Sequence, residues 1–513
     1  MILNPFDLFF SLSLTLFILS LVHKLLVPKA TKPKHYGPPT YPILGCLISF
    51  YKNRRRLLDW YTDLLARSPS QTIEVVRLGV RRIILTANPA NVEYMLKTNF
   101  HNFPKGEPLN EILGDLLGHG IFNVDGELWA TQRKLASHEF TTKSLKEFVV
   151  KALEDEVEGR LIPLLQAAAQ KNQIIDLQEV LKRLTYDTIC RVSLGTDPNC
   201  LDLSVPIPPL IKAFDSAAAI SAMRATSPVY LIWKLKRALN IGSEQELRRS
   251  VDTVHVLVQD IINDKLKALA EGQGPNEDLL SRFLSAGHDG QLARDMMVSF
   301  IMAGRDTTAA AMTWLFWLLS TVDPAVPESI RTELAQGSAR PGQLGYEAVK
   351  KGMPYLHACL CEAMRLYPPV AWDSKHAADD DVLPDGTPIR KGDRVTYFPY
   401  GMGRMEAIWG EDRFKFRPDR WFEPANEKDD KNGRPLKMVS PYMFPVFQAG
   451  PRVCLGKEMA FIQMKHVVAS IISRFNFEPV CSDPPVFVPL LTAHMAGGFK
   501  VRVKEIKGAD KYN

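Results

Sequence analysis

The chain has 513 residues, of which 46% are hydrophobic, and a formal net charge of +6. This apolar content is ample for a large core, whereas the basic excess is too small to indicate nucleic-acid binding, and no basic run is interleaved with aromatic residues. The seven cysteines are scattered and odd in number. They therefore predict neither a disulfide framework nor a Cys-x-x-Cys metal site, but a reducing, cytosol-facing compartment.

The N-terminal segment differs in kind from the rest of the chain. Residues 8–22 carry no charge, and the apolar stretch continues to Val27 around a single Lys24. Because about 20 such residues span a bilayer, residues 1–27 are predicted to be a retained membrane anchor. A cleaved signal peptide is the alternative, but it requires an early positive charge, and this chain has Asp7 instead. Lysines after the span place the bulk of the protein in the cytosol.

Residues 28–45 are rich in proline, which fixes φ and cannot continue a helix, so they are predicted to form a stiff hinge. From residue 46 to residue 513 no shift in composition marks a second domain. Hydrophobic periodicity in this part predicts a mainly α fold with a few short strands. Residues 75–88 resemble a β-hairpin, and residues 145–170 and 260–270 are predicted to be amphipathic helices.

Trp129 and Arg133 lie one helical turn apart. An indole N–H and a guanidinium can both donate hydrogen bonds to a carboxylate. The pair therefore predicts an anion-binding helix, with plain packing as the alternative.

Residues 294–319 form a long apolar stretch with a polar centre at residues 303–308. A second transmembrane span is one interpretation, but Arg305 and Asp306 would then lie near the middle of the bilayer at high cost. An ordinary buried helix is another, although Gly304 weakens a helix by about 1 kcal/mol relative to alanine. We favour a local groove for a small molecule, where Asp306 and Thr307 pass protons.

Glu362 and Arg365 are spaced i, i+3, which puts both on one face of a helix. A solvated surface pair would contribute little, but the neighbouring residues are apolar and indicate a buried pair. Arg420 is available as a third partner. These residues are predicted to be a structural lock rather than catalysts.

Cys454 lies between Gly450 and Gly456, two residues after Arg452, in a loop that leads into a helical pattern. A thiolate at this place can accept hydrogen bonds from free amide groups, which temper its charge. Such a thiolate is a ligand for haem iron, and it pushes electron density towards the metal. A buried, inert cysteine is the alternative.

Taken together in chain order, these runs resemble the cytochrome P-450 superfamily of haem-thiolate monooxygenases. The resemblance implies one mostly helical, triangular fold with a small β region, a catalytic domain over residues 46–513, and one haem b. It implies that Cys454 binds the iron and that Asp306 and Thr307 deliver protons during oxygen activation. It further assigns the haem propionates to Trp129, Arg133, Lys375 and Arg452, and the core lock to Glu362, Arg365 and Arg420.

Residues 373–386, 400–410, 445–454 and 485–498 resemble a plant branch of this superfamily, which includes ω-hydroxylases of fatty acids and of the hormone conjugate jasmonoyl-isoleucine. The resemblance implies hydroxylation of the terminal carbon of an amphipathic carboxylic acid. Residues 485–498 favour jasmonoyl-isoleucine, with a fatty acid as the alternative. The substrate pocket is expected to include Val370, Ala371, Trp372, Leu491 and Thr492.

The resemblance also implies a location in the endoplasmic reticulum membrane. It implies that electrons come from NADPH-cytochrome P-450 reductase, since the chain has no dinucleotide-binding glycine fingerprint of its own. The reductase is expected to dock on the cysteine side, near Arg452, Lys457 and Lys134. A haem-thiolate isomerase or dehydratase of hydroperoxides is an alternative of another class, and a haem-based sensor is a third. The Asp306–Thr307 pair argues against both, since neither requires a proton relay.

Overall fold

The computed structural model describes residues 36–227, 230–272, 277–336, 345–424, 434–481 and 483–506. The predicted anchor, residues 1–27, and the first part of the predicted hinge lie outside these ranges. Within them the mainly α prediction is confirmed, since helices form most of the body. The helices are α1 Leu47–Asn53, α2 Leu57–Arg67, α3 Pro89–Glu93, α4 Glu107–Leu117, α5 Gly126–Thr141, α6 Lys143–Glu156, α7 Ile162–Gln170, α8 Leu177–Leu194, α9 Pro209–Thr226, α10 Tyr230–Leu239, α11 Ser243–Ala270, α12 Leu279–Ser285, α13 Gly290–Gly304, α14 Asp306–Thr321, α15 Ala325–Gln336, α16 Tyr346–Lys351, α17 Pro354–Leu366, α18 Pro399–Met402, α19 Glu406–Trp409 and α20 Lys457–Ile472.

Short strands form small sheets beside the helical body, of which the largest has the strand order β1-β2-β7-β4. Its strands β2 and β7 run parallel, with Ile83 opposite Arg394, so the sheet joins distant parts of the chain. A second sheet has the order β3-β11-β8, and β9-β10 and β5-β6 form separate pairs. The strands are β1 Thr72–Val75, β2 Ile83–Thr86, β3 Ile174–Asp176, β4 Asp373–His376, β5 Asp381–Val382, β6 Pro388–Ile389, β7 Arg394–Tyr397, β8 Phe475–Pro479, β9 Phe487–Pro489, β10 Ala493–Met495 and β11 Lys500–Glu505.

The predicted hairpin is confirmed, although β1 begins earlier, at Thr72, and pairs with β2 in antiparallel register. The predicted helix over residues 145–170 is α6 and α7, joined by a π-helical turn over Val157–Leu161. The helix predicted over residues 260–270 is the last part of α11, which begins at Ser243. Its buried stripe starts well before residue 260, with Leu247, Val251, Val254, Val258 and Ile262 at helical spacing.

The apolar stretch over residues 294–319 is not one continuous helix, because α13 and α14 are separated at Arg305. The Thr307 hydroxyl donates to the carbonyl of Ala303 at 2.7 Å, a local bond that bends helices. Gly304 lies tightly against α8, where an added Cβ would be 2.7 Å from Ile189 Cδ1. Close packing and a competing hydroxyl therefore explain the break.

In the described ranges no single helix is long and apolar enough to cross a bilayer. One bent pair meets the criteria of length and composition, namely residues 290–321 with α15 at an angle of 115°. Most residues of α13 and α14 are buried against other helices, and α14 packs on α8, α17 and α20. These contacts favour core helices over the second transmembrane span considered from the sequence.

Candidate active site

The loop before α20 presents Cys454 at the start of a long helix. The Cys454 N–H donates to the carbonyl of Phe447 at 2.8 Å, which closes the loop. Gly450 has a φ of 63°, and a Cβ at this position would collide with the carbonyl oxygen of Leu96, so the turn requires glycine. The amide groups of Gly456 and Lys457, at the start of α20, donate to the Cys454 sulfur.

The Cys454 side chain is accessible on one side, and protein surrounds the sulfur elsewhere. Burial raises the pKa of the thiol, while the Gly456 amide and the charges of Arg133 and Lys457 lower it. Each of these opposing groups stabilises the thiolate. A coordinated metal ion would add to them and deprotonate the thiol outright.

The break between α13 and α14 is partly exposed, whereas the residues before and after it are buried. The accessible residues include Gly304, Asp306 and Thr307. The Asp306 Oδ1 atom lies 3.5 Å from Arg305 Nε, and Arg305 pairs with Asp215 at 2.5 Å. An acid and an alcohol therefore lie side by side on an accessible stretch of otherwise buried helices.

Helix α5 supplies the aromatic and cationic residues that surround the cysteine loop. The guanidinium of Arg452 lies 4.4 Å from the ring centroid of Trp129, and it donates to Asp125 at 2.6 Å. One turn along α5, Arg133 donates to the carbonyl of Val453 at 2.5 Å. The structure thus brings the predicted residues Trp129, Arg133 and Arg452 together beside Cys454.

Lys375 on β4 belongs to a buried charge cluster centred on Asp373. The Asp373 carboxylate accepts hydrogen bonds from Lys105 at 2.8 Å, from Lys375 at 3.0 Å and from the hydroxyl of Tyr397 at 2.9 Å. Burial alone would raise the pKa of Asp373, but the two lysines outweigh it and hold that pKa far below its usual range. Burial lowers the pKa of Lys375, and Asp373 opposes this shift.

Glu362 lies fully buried on α17, with both carboxylate oxygens engaged. Arg365 donates to both oxygens at 2.8 Å, and Arg420 donates to one of them at 2.8 Å. The indole of Trp421 and the N–H of Arg417 donate at 3.0 and 2.9 Å. The carboxylate therefore joins α17 to the segment around residue 420, which is the arrangement expected of a structural lock.

Two chain segments that were expected to line the substrate pocket lie side by side. The Ala493 N–H donates to the carbonyl of Pro369 at 2.8 Å, and the Tyr400 N–H donates to that of Ala371 at 3.2 Å. Strand β10 packs against α14, and the charge of Asp306 at the helix break opposes the lowering of the pKa of His494 by burial. Ala371 is buried, and the partly exposed members are Val370, Trp372, Leu491 and Thr492.

Comparison with known proteins gives the family of the chain. A model described as Cytochrome P450 matches residues 36–495. The chain belongs to the cytochrome P450 family. It is similar to cytochrome P450 94B1 of Arabidopsis thaliana, with 59% identity over 498 residues that cover 96% of each chain. It is also similar to cytochrome P450 94B3 of that plant, with 60% identity over 475 residues that cover 91% of this chain and 92% of the relative. Cytochrome P450 94A1 of Vicia sativa is 45% identical over 473 residues, which cover 91% of this chain and 90% of the relative.

As a cytochrome P450, the protein is a haem-thiolate monooxygenase that receives electrons through a reductase. The residues of the site fit haem, because an accessible thiol lies at a helix start beside a cluster of cations. Cations outnumber carboxylates in this cluster, which suits the two negatively charged propionates of haem. The cations are Lys105, Arg133, Lys375 and Arg452, and the carboxylates are Asp125 and Asp373.

The structure corrects one expectation and adds residues that the sequence did not reveal. Arg452 is only 9% exposed and is paired with Asp125, so its charge is not available on the surface where a reductase docks. Lys105 and Asp125 were missed because their partners lie hundreds of residues away in the chain. No local pattern marks them.

Proposed function

We propose that this cytochrome P450 hydroxylates the terminal carbon of an amphipathic carboxylic acid, with jasmonoyl-isoleucine as the first candidate and a fatty acid as the second. The observation that carries the proposal is the contact between Pro369 and Ala493, which joins two largely apolar segments, one of them packed through β10 on the helix that begins with the acid–alcohol pair. A terminal C–H bond is stronger than its in-chain neighbours, so attack there requires such positional control. The resemblance of residues 485–498 supports the choice of jasmonoyl-isoleucine.

When bound, the haem supplies the activation of oxygen, which the thiolate favours. The residues of the chain hold the substrate in position and deliver protons to the site. Thr307 holds its hydroxyl in place by donating to Ala303, and Asp306 lies next to it with one buried carboxylate oxygen 3.5 Å from Arg305 Nε. An acid and an alcohol side by side provide a route for protons to the site. The two segments from Val370 and from Leu491 keep water away and orient the chain tip.

We expect Thr307→Val to separate NADPH oxidation from product formation. The variant keeps the shape of the side chain but removes the hydroxyl, so electrons should still be consumed while hydrogen peroxide replaces product. Thr313→Val is the matched control, because Thr313 makes the same 2.7 Å bond to the carbonyl four residues before it but faces the core. Peroxide release, substrate affinity and product are measured together. Unchanged coupling in Thr307→Val contradicts the role of Thr307.

The proposed reaction is tested with the full chain, purified NADPH-cytochrome P450 reductase, NADPH and either jasmonoyl-isoleucine or dodecanoic acid. We expect oxidation mainly at the terminal carbon, resolved by mass spectrometry, and dependent on NADPH. Mainly in-chain oxidation contradicts ω-hydroxylation. Turnover of a hydroperoxide without NADPH would instead support the isomerase. A comparison of the two acids at equal concentration ranks the substrates.

The reductase is proposed to dock on the face that carries Lys134 and Lys457, which are both exposed. Exposed charges attract a partner over a Debye length of about 8 Å at physiological salt, so the contact should weaken as salt increases. In the variants Lys134→Glu and Lys457→Glu, the rate at which the reductase reduces the haem should fall relative to the unaltered protein, and the difference should be largest at low salt.

We also propose that residues 1–27 anchor the protein in the endoplasmic reticulum membrane, with the catalytic domain in the cytosol. The carbonyl of Tyr36 already accepts a hydrogen bond from the Glu74 N–H of β1, and Gly45 bridges to Arg77, so the folded body includes residues 36–45. Deletion of residues 1–27 should reduce membrane attachment and leave haem binding intact. Deletion of residues 1–45 should also lower thermal stability. Equal behaviour of the two deletions would show that the boundary is misplaced.

A further inference from the structure

One face of the β1-β2-β7-β4 sheet carries arginines that lack the usual carboxylate partner. Arg394 on β7 is partly buried and donates only to hydroxyl groups, to Ser374 Oγ at 2.9 Å and to Tyr230 at 3.4 Å. No carboxylate pairs with it in the part of the chain that the structure describes. By contrast, Arg82 nearby is neutralised by Glu74 at 2.9 Å and by a second carboxylate.

Arg77, just beyond β1, is a second such cation. It is only 6% exposed, and its buried Nε and Nη1 atoms have no hydrogen-bond partner among the residues that the structure describes. Its guanidinium lies 4.0 Å from the ring centroid of Phe50, and it forms no ion pair with any described residue. A buried guanidinium with unused donors is costly unless an anion completes it.

Arg394 belongs to a face of the sheet that leads along β1 towards Arg77. Val75, Ile83 and Arg394 lie opposite one another in neighbouring strands, so their side chains share one face. Arg77 lies two residues beyond Val75, just past the end of β1, where its backbone bridges to Gly45. Burial raises the pKa of Tyr61 on α2, and the charges of Arg77 and Arg394 both oppose that shift.

This face is next to the segment expected to line the pocket. Strand β4 begins directly after Trp372, and Ser374, which accepts the bond from Arg394, is two residues further on. At about 3.3 Å per residue, the Arg394 contact is only about 7 Å along the strand from Trp372. The other contact, Tyr230, belongs to α10, so the group lies where the sheet meets the helical body.

We propose that Arg394, with the hydroxyl of Tyr230 and the second charge of Arg77, binds the carboxylate of the substrate. This inference rests on the proposed function, since it assigns the polar end of the same amphipathic acid. A guanidinium and a carboxylate form two parallel charge-assisted hydrogen bonds, which fix orientation as well as affinity. An acid tethered at the sheet presents its far end to Asp306 and Thr307, which explains how an end carbon is selected.

The test uses the full-length, haem-loaded protein and measures dissociation constants from the shift of the Soret band. The probes are jasmonoyl-isoleucine and dodecanoic acid, each beside its methyl ester, which has the same shape without the charge. For Arg394→Gln we expect the dissociation constants of both acids to rise about tenfold to hundredfold, the range of a lost charged hydrogen bond, while those of the esters stay unchanged. For Arg394→Lys the dissociation constants of the acids should lie between those of the unaltered protein and of Arg394→Gln, because lysine keeps the charge but not the paired geometry.

Arg81→Gln is the matched control, since Arg81 is an exposed arginine of the same hairpin that donates only to the Gly392 carbonyl at 3.5 Å. Arg81→Gln should leave the dissociation constants of both acids unchanged. Arg77→Gln should weaken the acids selectively. Arg394→Gln should also move oxidation of dodecanoic acid from the terminal carbon to in-chain carbons.

Equal weakening of acids and esters, or an Arg81→Gln effect as large as that of Arg394→Gln, would overturn the assignment. If the unaltered protein binds and oxidises the acids terminally but Arg394→Gln does not change their affinity, only this inference fails. If the unaltered protein binds neither acid, the proposed function fails with it.

Discussion

We expect Cys454→His to lose the red-shifted Soret band that a thiolate-ligated haem shows in its reduced, carbon-monoxide-bound form, and to lose monooxygenase activity with it. Cys454 is accessible and lies at the start of α20, where amides and nearby cations stabilise a thiolate. Histidine can still bind iron, but it lacks the electron donation that favours cleavage of the O–O bond. Bound haem with a shifted spectrum is therefore the expected state.

Cys481→Ser is the matched control, because Cys454 and Cys481 are the exposed cysteines of the chain, and the other five are buried. Burial raises the pKa of Cys190 and of Cys361 to about 12, which disfavours a thiolate at either position. The control should keep the full band. A band retained by Cys454→His would show that another cysteine binds the iron.

The local part of the site was predictable because its residues are close together in sequence. Gly450 and the helix that begins at Lys457 define the surroundings of Cys454 within a few residues. The pairing of Glu362 with Arg365 follows from their spacing on one helix. In these cases local geometry alone decides which groups meet.

The break at Arg305 was only partly predictable. A glycine and hydroxyl groups in the centre of an apolar stretch indicated weakness, but the tight contact of Gly304 with Ile189 depends on the packing of α8 across it. The position of the break therefore depends on tertiary contact as well as on helix propensity. The same holds for α11, where burial against other helices extends the element far beyond the segment predicted from its periodicity.

The charge clusters were not predictable, because their members come from distant parts of the chain. Lys105 reaches Asp373 across 268 positions, and Arg394 reaches Tyr230 across 164. No spacing rule connects such residues. The parallel pairing of β2 with β7, which places Arg394 opposite Ile83, is also a product of topology. The surplus of positive charge is visible only once the fold has assembled it.

We expect Glu362→Gln to destabilise the whole catalytic domain. Arg365 and Arg420 would then retain buried charge without the carboxylate that neutralises it. Removing one partner of a buried ion pair costs about 3–5 kcal/mol, far more than the pair contributes when it is intact. The loss should appear as a lower midpoint of thermal unfolding. The haem content should fall as well, because Arg365 also donates to the Gly403 and Arg413 carbonyls and so fixes the segment that leads towards the cysteine loop.

Glu328→Gln provides the matched control. Glu328 and Arg331 have the same i, i+3 spacing and bond at 3.0 Å, but Glu328 is 67% exposed. Water and salt screen such a pair, so its loss should cost less than about 1 kcal/mol and leave the haem content unchanged. Circular dichroism distinguishes a Glu362→Gln protein that has lost its fold from one that is folded but less stable. A folded Glu362→Gln protein with an unchanged midpoint would show that the lock does not stabilise the domain. The segment around residue 420 would then be held by its other contacts, such as the bond from Arg420 to the carbonyl of Asp412 at 3.2 Å.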